Sequence, residues 1–145
     1  MRIRATLLLA VVTLVLVSAA PAFGEIKILR IEYDPPGSNT DTSRHVNKEF
    51  VVLVNTGQRR ISLAGWRLRD SRPNRYLFDD NFGLAAGKRV KIHSGSGDDD
   101  RNDLYWGFDS YLWNNRGDTA VLLGDTRGHR DRCHYSGRGT SPVTC

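Results

Sequence analysis

The chain is poor in cysteine, and after residue 17 it has no apolar run approaching the roughly 20 residues a helix needs to span a bilayer. Two cysteines, Cys133 and Cys145, cannot build a structural zinc site alone, and His134 beside Cys133 has no paired ligand at metal-site spacing. Helical periodicity is nearly absent, and there is no internal repeat or linker. A Gly-rich phosphate loop between a strand and a helix is missing. So is a Ser or Cys nucleophile with an orienting base. Only His45 and Glu49 stand at a spacing that lets a base meet an acid. The His45 segment reads as loop and Glu49 opens a strand, so the pair carries no catalytic reading. These absences argue against an enzyme, a resident metal or a cofactor.

The first residues have the layout of a secretory signal. Arg2 and Arg4 precede an apolar stretch from Ala5 to Val17, and Ser18-Ala19-Ala20-Pro21-Ala22 supplies small residues for cleavage after Ala22, with cleavage after Gly24 as a second option. The apolar stretch is too short for an anchor. No Cys follows it to carry a lipid, and adjacent twin arginines are absent. Residues 1–22 are expected to direct general secretion, leaving 25–145 as one domain of ordinary size. In a secreted chain, two cysteines around a Gly/Ser-rich segment are expected to pair. That bridge closes a loop of about 13 residues, worth about 3 kcal/mol in the chain-entropy picture.

Short alternating runs recur roughly every ten residues between Gly, Asn, Asp and Pro, the pattern of an all-β sandwich or barrel. Ile26–Tyr33 is the first strand. Its apolar positions slip phase by one residue, which predicts a β-bulge near Leu29. The segment from Ser38 to Asn47 reads as an exposed loop, and Glu49–Asn55 as the second strand. Further strands are expected at Arg60–Leu63, Trp66–Asp70, Arg75–Phe78, Lys88–His93, Thr119–Leu123 and Arg130–Tyr135. Trp66, Leu68, Val51, Leu53 and Val121 are the predicted core, with Leu123 beside Val121.

Several segments together are similar to a known family. They are Ile31-Glu32-Tyr33-Asp34-Pro35-Pro36-Gly37, Glu49-Phe50-Val51-Val52-Leu53-Val54-Asn55-Thr56-Gly57, Ser62-Leu63-Ala64-Gly65-Trp66-Arg67-Leu68-Arg69-Asp70, Leu84-Ala85-Ala86-Gly87 and Trp113-Asn114-Asn115-Arg116-Gly117-Asp118-Thr119-Ala120-Val121-Leu122. The chain resembles the lamin-tail domain family, in the form found in exported bacterial proteins. The resemblance implies an immunoglobulin-like β-sandwich, here of about eight strands, and a non-catalytic role in adhesion or targeting. Family members in lamins bind protein partners and DNA. The family carries polar residues where this chain has Val52 and Val54. A strand apolar on both faces is either covered twice or exposes a sticky stripe.

Three clusters are candidate sites. Removing Arg2 and Arg4 from the 21 basic residues leaves 19 against 16 acidic ones, a modest excess, but its distribution is uneven. Between Arg59 and Lys91 stand nine basic and three acidic residues. Arg67 and Arg69 share one side of their strand, as do Arg89 and Lys91 of theirs. If the two strands share a sheet, four cations converge into a polyanion-binding stripe. The alternative is a solvated outer face that blunts strand edges. The second cluster is the acidic loop, in which Asp98, Asp100 and Asp103 are candidate calcium ligands, although EF-hand spacing is lacking. A solvated turn is the plainer reading. The third comprises Tyr105, Trp106, Tyr111 and Trp113, either a stacking platform for sugars or bases or simply core. The function expected is a secreted binding module whose partner is an envelope or extracellular ligand, protein or anionic polymer. A nucleic-acid or polyanion binder is the alternative, and a secreted hydrolase or nuclease the remote one. The oligomeric state stays open.

Overall fold

Ile26, Ile28, Ile31 and Tyr33 all face inward although their spacing changes from even to odd, because the register of the first strand shifts between Ile28 and Arg30. The extra residue is Leu29, as the phase slip predicts. The computed structural model describes residues 25–37, 42–124, 128, 130–137 and 141–145, with Ser43 in its backbone alone. The signal segment at 1–22 lies outside them, as do residues 38–41 of the polar loop and 125–127 of the last hairpin turn.

Among the described residues, eleven strands and one helical turn follow in chain order. They are β1 (Ile26–Glu32), α1 (Ser43–Val46), β2 (Phe50–Asn55), β3 (Ile61–Ser62), β4 (Arg67–Arg69), β5 (Arg75–Leu77), β6 (Gly83–Leu84), β7 (Arg89–His93), β8 (Asp103–Tyr105), β9 (Gly117–Leu123), β10 (Arg130–Ser136) and β11 (Val143–Thr144). One sheet has the order β11-β1-β2-β7-β8, and the other β10-β9-β4-β5. A short β3-β6 ribbon stands beside them. Strands number eleven rather than eight because β6, β8 and β11 were not expected: β6 and β11 are two residues long, too short for alternation to register, and β8 falls where the sequence reads as a loop and an aromatic cluster. The α1 turn also departs from the loop reading of 38–47. It is held by His45 and Val46 N–H groups donating to the Thr42 carbonyl. All pairings are antiparallel except β7 with β8. Residues 94–102 must therefore carry the chain back along the sheet before β8 begins.

The core lies between the two sheets. Val51, Leu53, Val90 and Ile92 from one meet Leu68, Ala120 and Leu122 from the other, with Trp66 and Trp113 among them. Leu68, Val51 and Leu53 are completely buried and Trp66 is 8% exposed, as expected. A buried Leu or Val of this kind contributes roughly 1.5–3 kcal/mol. Val121 is buried too, but for another reason. Leu68 pairs with Leu122, and Arg69 with Val121, so Val121 shares the outward side of Arg69. The sheet-to-sheet contact is made by Ala120 and Leu122 instead.

Cys133 and Cys145 form the expected disulfide, with Cα atoms 5.6 Å apart. It fastens the end of the chain where β11 pairs with β1 and the Cys145 N–H donates to the Leu29 carbonyl. Ser141 adds a second tie. Its hydroxyl accepts from the Tyr33 and Asp34 N–H groups and donates to the Glu32 carboxylate.

Candidate functional site

The four predicted cations do not converge. Arg67 and Arg69 lie on β4 and Arg89 and Lys91 on β7, and these strands belong to different sheets. The inward neighbours Leu68, Val90 and Ile92 meet in the core, so the two pairs point away from each other on opposite outer faces. Alternation tells which side of its own strand a residue takes. It does not tell which sheet the strand joins.

On the face of the five-stranded sheet the cations have company. Across the strands, Arg30, Val52, Lys91 and Asp103 stand in one row, and Glu32, Phe50, His93 and Tyr105 in the next. Arg30 and Lys91 both approach the Phe50 ring, each 5.2 Å from its centroid, in a cation–π bracket. Lys27 bonds Glu25 at 2.8 Å and comes within 3.9 Å of Asp131, and the Glu25 hydrogen bond holds its amine above the usual lysine range. Val52 is only 6% exposed and is flanked in register by Arg30 and Lys91, long side chains of the kind that lay their stems along apolar surface. The second apolar side of β2 is thus largely covered by its own neighbours, not left as a bare stripe.

The other outer face is different. Arg75, Arg69, Val121 and Arg132 form one cross-strand row, and Leu77, Arg67, Leu123 and Arg130 form the row beside it. All five arginines are exposed. Among the described residues none of them has a carboxylate within ion-pair distance. Arg75 was expected only near the margin of the stripe, with Arg60 and Arg72, and Arg130 and Arg132 not at all. Arg130 and Arg132 lie more than sixty residues from Arg69 in the chain, and only the β9–β10 pairing brings them alongside.

The acidic loop spends its carboxylates on itself. Asp100 accepts the N–H groups of Asn102 and Asp103, which lowers its pKa, while Asp99 accepts the Tyr105 N–H and the Tyr76 hydroxyl. Asp103 Oδ1 lies 2.7 Å from His93 Nε2, and His93 Nδ1 lies 2.7 Å from the Asn47 carbonyl. Asp98, Asp100 and Asp103 therefore hold no common point. Among the described residues no group of three or more His, Cys, Asp or Glu side chains is arranged to hold a metal ion. A cavity of about 750 Å³ opens between the edge strands β5 and β8, floored by Phe82 and Leu104. Its rim mixes Arg60 and Lys88 with Asp79 and Asp99, so it favours neither sign of ligand.

The aromatic cluster is mainly structural. Trp113 is 2% exposed, and Trp106 packs edge-on against both it and Tyr76, with centroids 6.1 and 6.0 Å away. Tyr105 stacks on His93. Tyr111 is half-buried. His45 and Glu49 are not paired for catalysis. Glu49 is fully buried, and its two oxygens accept the N–H groups of Leu112 and Trp113 at 2.8 and 3.0 Å. Burial raises its pKa to about 7 against the opposing effect of these donors. The same role falls to three residues that sequence reasoning did not single out. Asn55 joins the Arg59 and Leu84 carbonyls and the Gly57 N–H. Asp70 accepts from Arg72 and Asn74, and Asp118 from Ser71 and Asn114. Their buried polar groups hold loops in place. The signal that marks them is a polar residue at a strand end beside a turn.

Comparison with known families finds that the Lamin Tail Domain model matches residues 19–137. No curated protein matches the chain.

Proposed function

Because the chain belongs to the lamin tail domain family, whose immunoglobulin-like fold is non-enzymatic, we propose that it is a secreted binding module that docks to an envelope or extracellular ligand. The observation that carries this reading is the division of labour among the charged groups. Buried acids and amides bind backbone of the same chain, whereas exposed arginines on one outer face have no partner among the described residues. A catalytic site concentrates perturbed groups around a cleft; here the most perturbed carboxylate, Glu49, is sealed in the core. No helix among the described residues is long and apolar enough to cross a membrane, and the disulfide suits an oxidising compartment.

All eleven strands and the disulfide lie between Ile26 and Cys145, so a chain starting at Glu25 carries the whole sandwich. Immobilised chain 25–145 is expected to retain a component of cell-envelope material or culture medium without degrading RNA, DNA or glycan. Turnover of any of these that disappears in His45→Ala would overturn the reading. A polyanion is a second candidate ligand, favoured by arginines that have no carboxylate partner among the described residues, and Arg67 and Arg69 would contribute to it independently of Arg89 and Lys91.

A further inference from the structure

We propose that the outer face of the four-stranded sheet docks flat onto an anionic lipid bilayer, with Arg67, Arg69, Arg75, Arg130 and Arg132 facing lipid headgroups and Leu77 entering the interface. This deepens the binding-module reading and rests on it. The case begins with an electrostatic cost. Arg69 and Arg75 stand directly opposite each other on β4 and β5. Like charges at the roughly 5 Å separation of a cross-strand pair destabilise a sheet. Arg132 closes the same row across Val121, and Arg67 and Arg130 flank Leu123 in the next. No described carboxylate relieves the repulsion, in contrast to the opposite face, where Phe50 engages Arg30 and Lys91, and Glu25 and Asp131 engage Lys27. An anionic partner would relieve it.

The shape of the face selects a planar partner. Four strands at about 4.8 Å spacing make a broad, two-dimensional array of charge rather than a single track for one polymer strand. No aromatic ring lies in the two rows to stack on bases or sugars, and the cavity between β5 and β8 does not open among these arginines. Leu77, beside Arg67, is 63% exposed and is the one large hydrophobic so exposed among the described residues. A lone protruding leucine framed by arginines suits a headgroup surface, where cations attract anionic lipid and a short apolar side chain enters the boundary. Val121, between Arg69 and Arg132 in its row, is buried on the same face.

The test is co-sedimentation of chain 25–145, free of the apolar stretch at 5–17, with vesicles. It is expected to bind phosphatidylcholine vesicles containing phosphatidylglycerol, not phosphatidylcholine alone, with affinity falling as salt rises. Arg69→Gln with Arg132→Gln should weaken binding by on the order of tenfold. Leu77→Asp should weaken it as well. Unchanged melting temperatures would confirm that both variants are folded. Binding that survives the arginine pair but is lost in Arg89→Gln with Lys91→Gln would overturn the assignment of the face. Binding of soluble heparin or polyphosphate without vesicle binding would overturn the lipid partner while leaving the module reading intact. Retention of an envelope protein by a chain that binds neither would do the same.

Discussion

Tyr33 and Tyr135 stack with ring centroids 4.0 Å apart and planes inclined by 16°, joining the segment after β1 to β10 across the sandwich. Both rings are nearly fully buried, and among the described residues the Tyr135 hydroxyl has no hydrogen-bond partner. Burial pushes that phenol well above the ordinary tyrosine range. The ring therefore stabilises and the hydroxyl costs. Tyr135→Phe should be neutral or stabilising by about 1 kcal/mol, whereas Tyr135→Ala should lose about 3–5 kcal/mol. Urea unfolding of the two variants decides it, and a large loss in the Phe variant would show that the hydroxyl has a partner after all.

Glu49 predicts a pH dependence with a definite sign. Its folded pKa, about 7, lies above the ordinary value of 4.5 because burial disfavours the charged form. The native state holds the proton more tightly than the unfolded chain, so its contribution is complete below about pH 4.5 and is lost as pH rises through about 7. The span corresponds to at most about 3 kcal/mol. The melting temperature of the protein should fall between pH 5 and 8, and Glu49→Gln should flatten that slope. An unchanged slope in the variant would assign it to another group.

Reduction of Cys133–Cys145, or Cys133→Ser with Cys145→Ser, should cost about 3 kcal/mol and about 10 °C of melting temperature. Hydrogen exchange should locate the damage. The Cys145 N–H bonded to Leu29 and the β11–β1 pairs should lose protection while β2 and β7 keep theirs. Uniform loss across both sheets would mean that the bridge supports the whole sandwich.

Gly137 and Gly65 separate steric crowding from backbone conformation. A Cβ on Gly137 would lie 1.8 Å from the Asn115 carbonyl oxygen and 2.3 Å from Arg116 Cα, so backbone must move. At Gly65, with φ of +73°, there is open space, and only the left-handed conformation opposes a side chain. Gly137→Ala should cost about 3 kcal/mol or more, and Gly65→Ala about 1 kcal/mol. Equal losses in denaturant titrations would refute this ranking.

Much of the architecture was legible before any coordinates. The bulge at Leu29, the strand centres, the inward set of Val51, Leu53 and Leu68, and the cysteine pairing follow from local rules of alternation, turn chemistry and redox compartment. The two-residue strands β6 and β11 escaped because they offer no alternation to read. In β9, Ala120, Val121 and Leu122 are all apolar, so sequence pattern alone could not say which side faces the core. Likewise the candidate stripe failed at one step, the assumption that β4 and β7 share a sheet.

What the sequence by itself determined is therefore the local grammar: where strands run, where they break, which side chains share an edge of one strand, and that its cysteines pair. The tertiary structure decided which strands became neighbours, and with that which arginines stand together and which cations find Phe50 or a carboxylate. The reason is physical. Side-chain alternation is a property of a single strand, repeating every two residues, whereas a charged face is assembled across hydrogen bonds between strands distant in the chain.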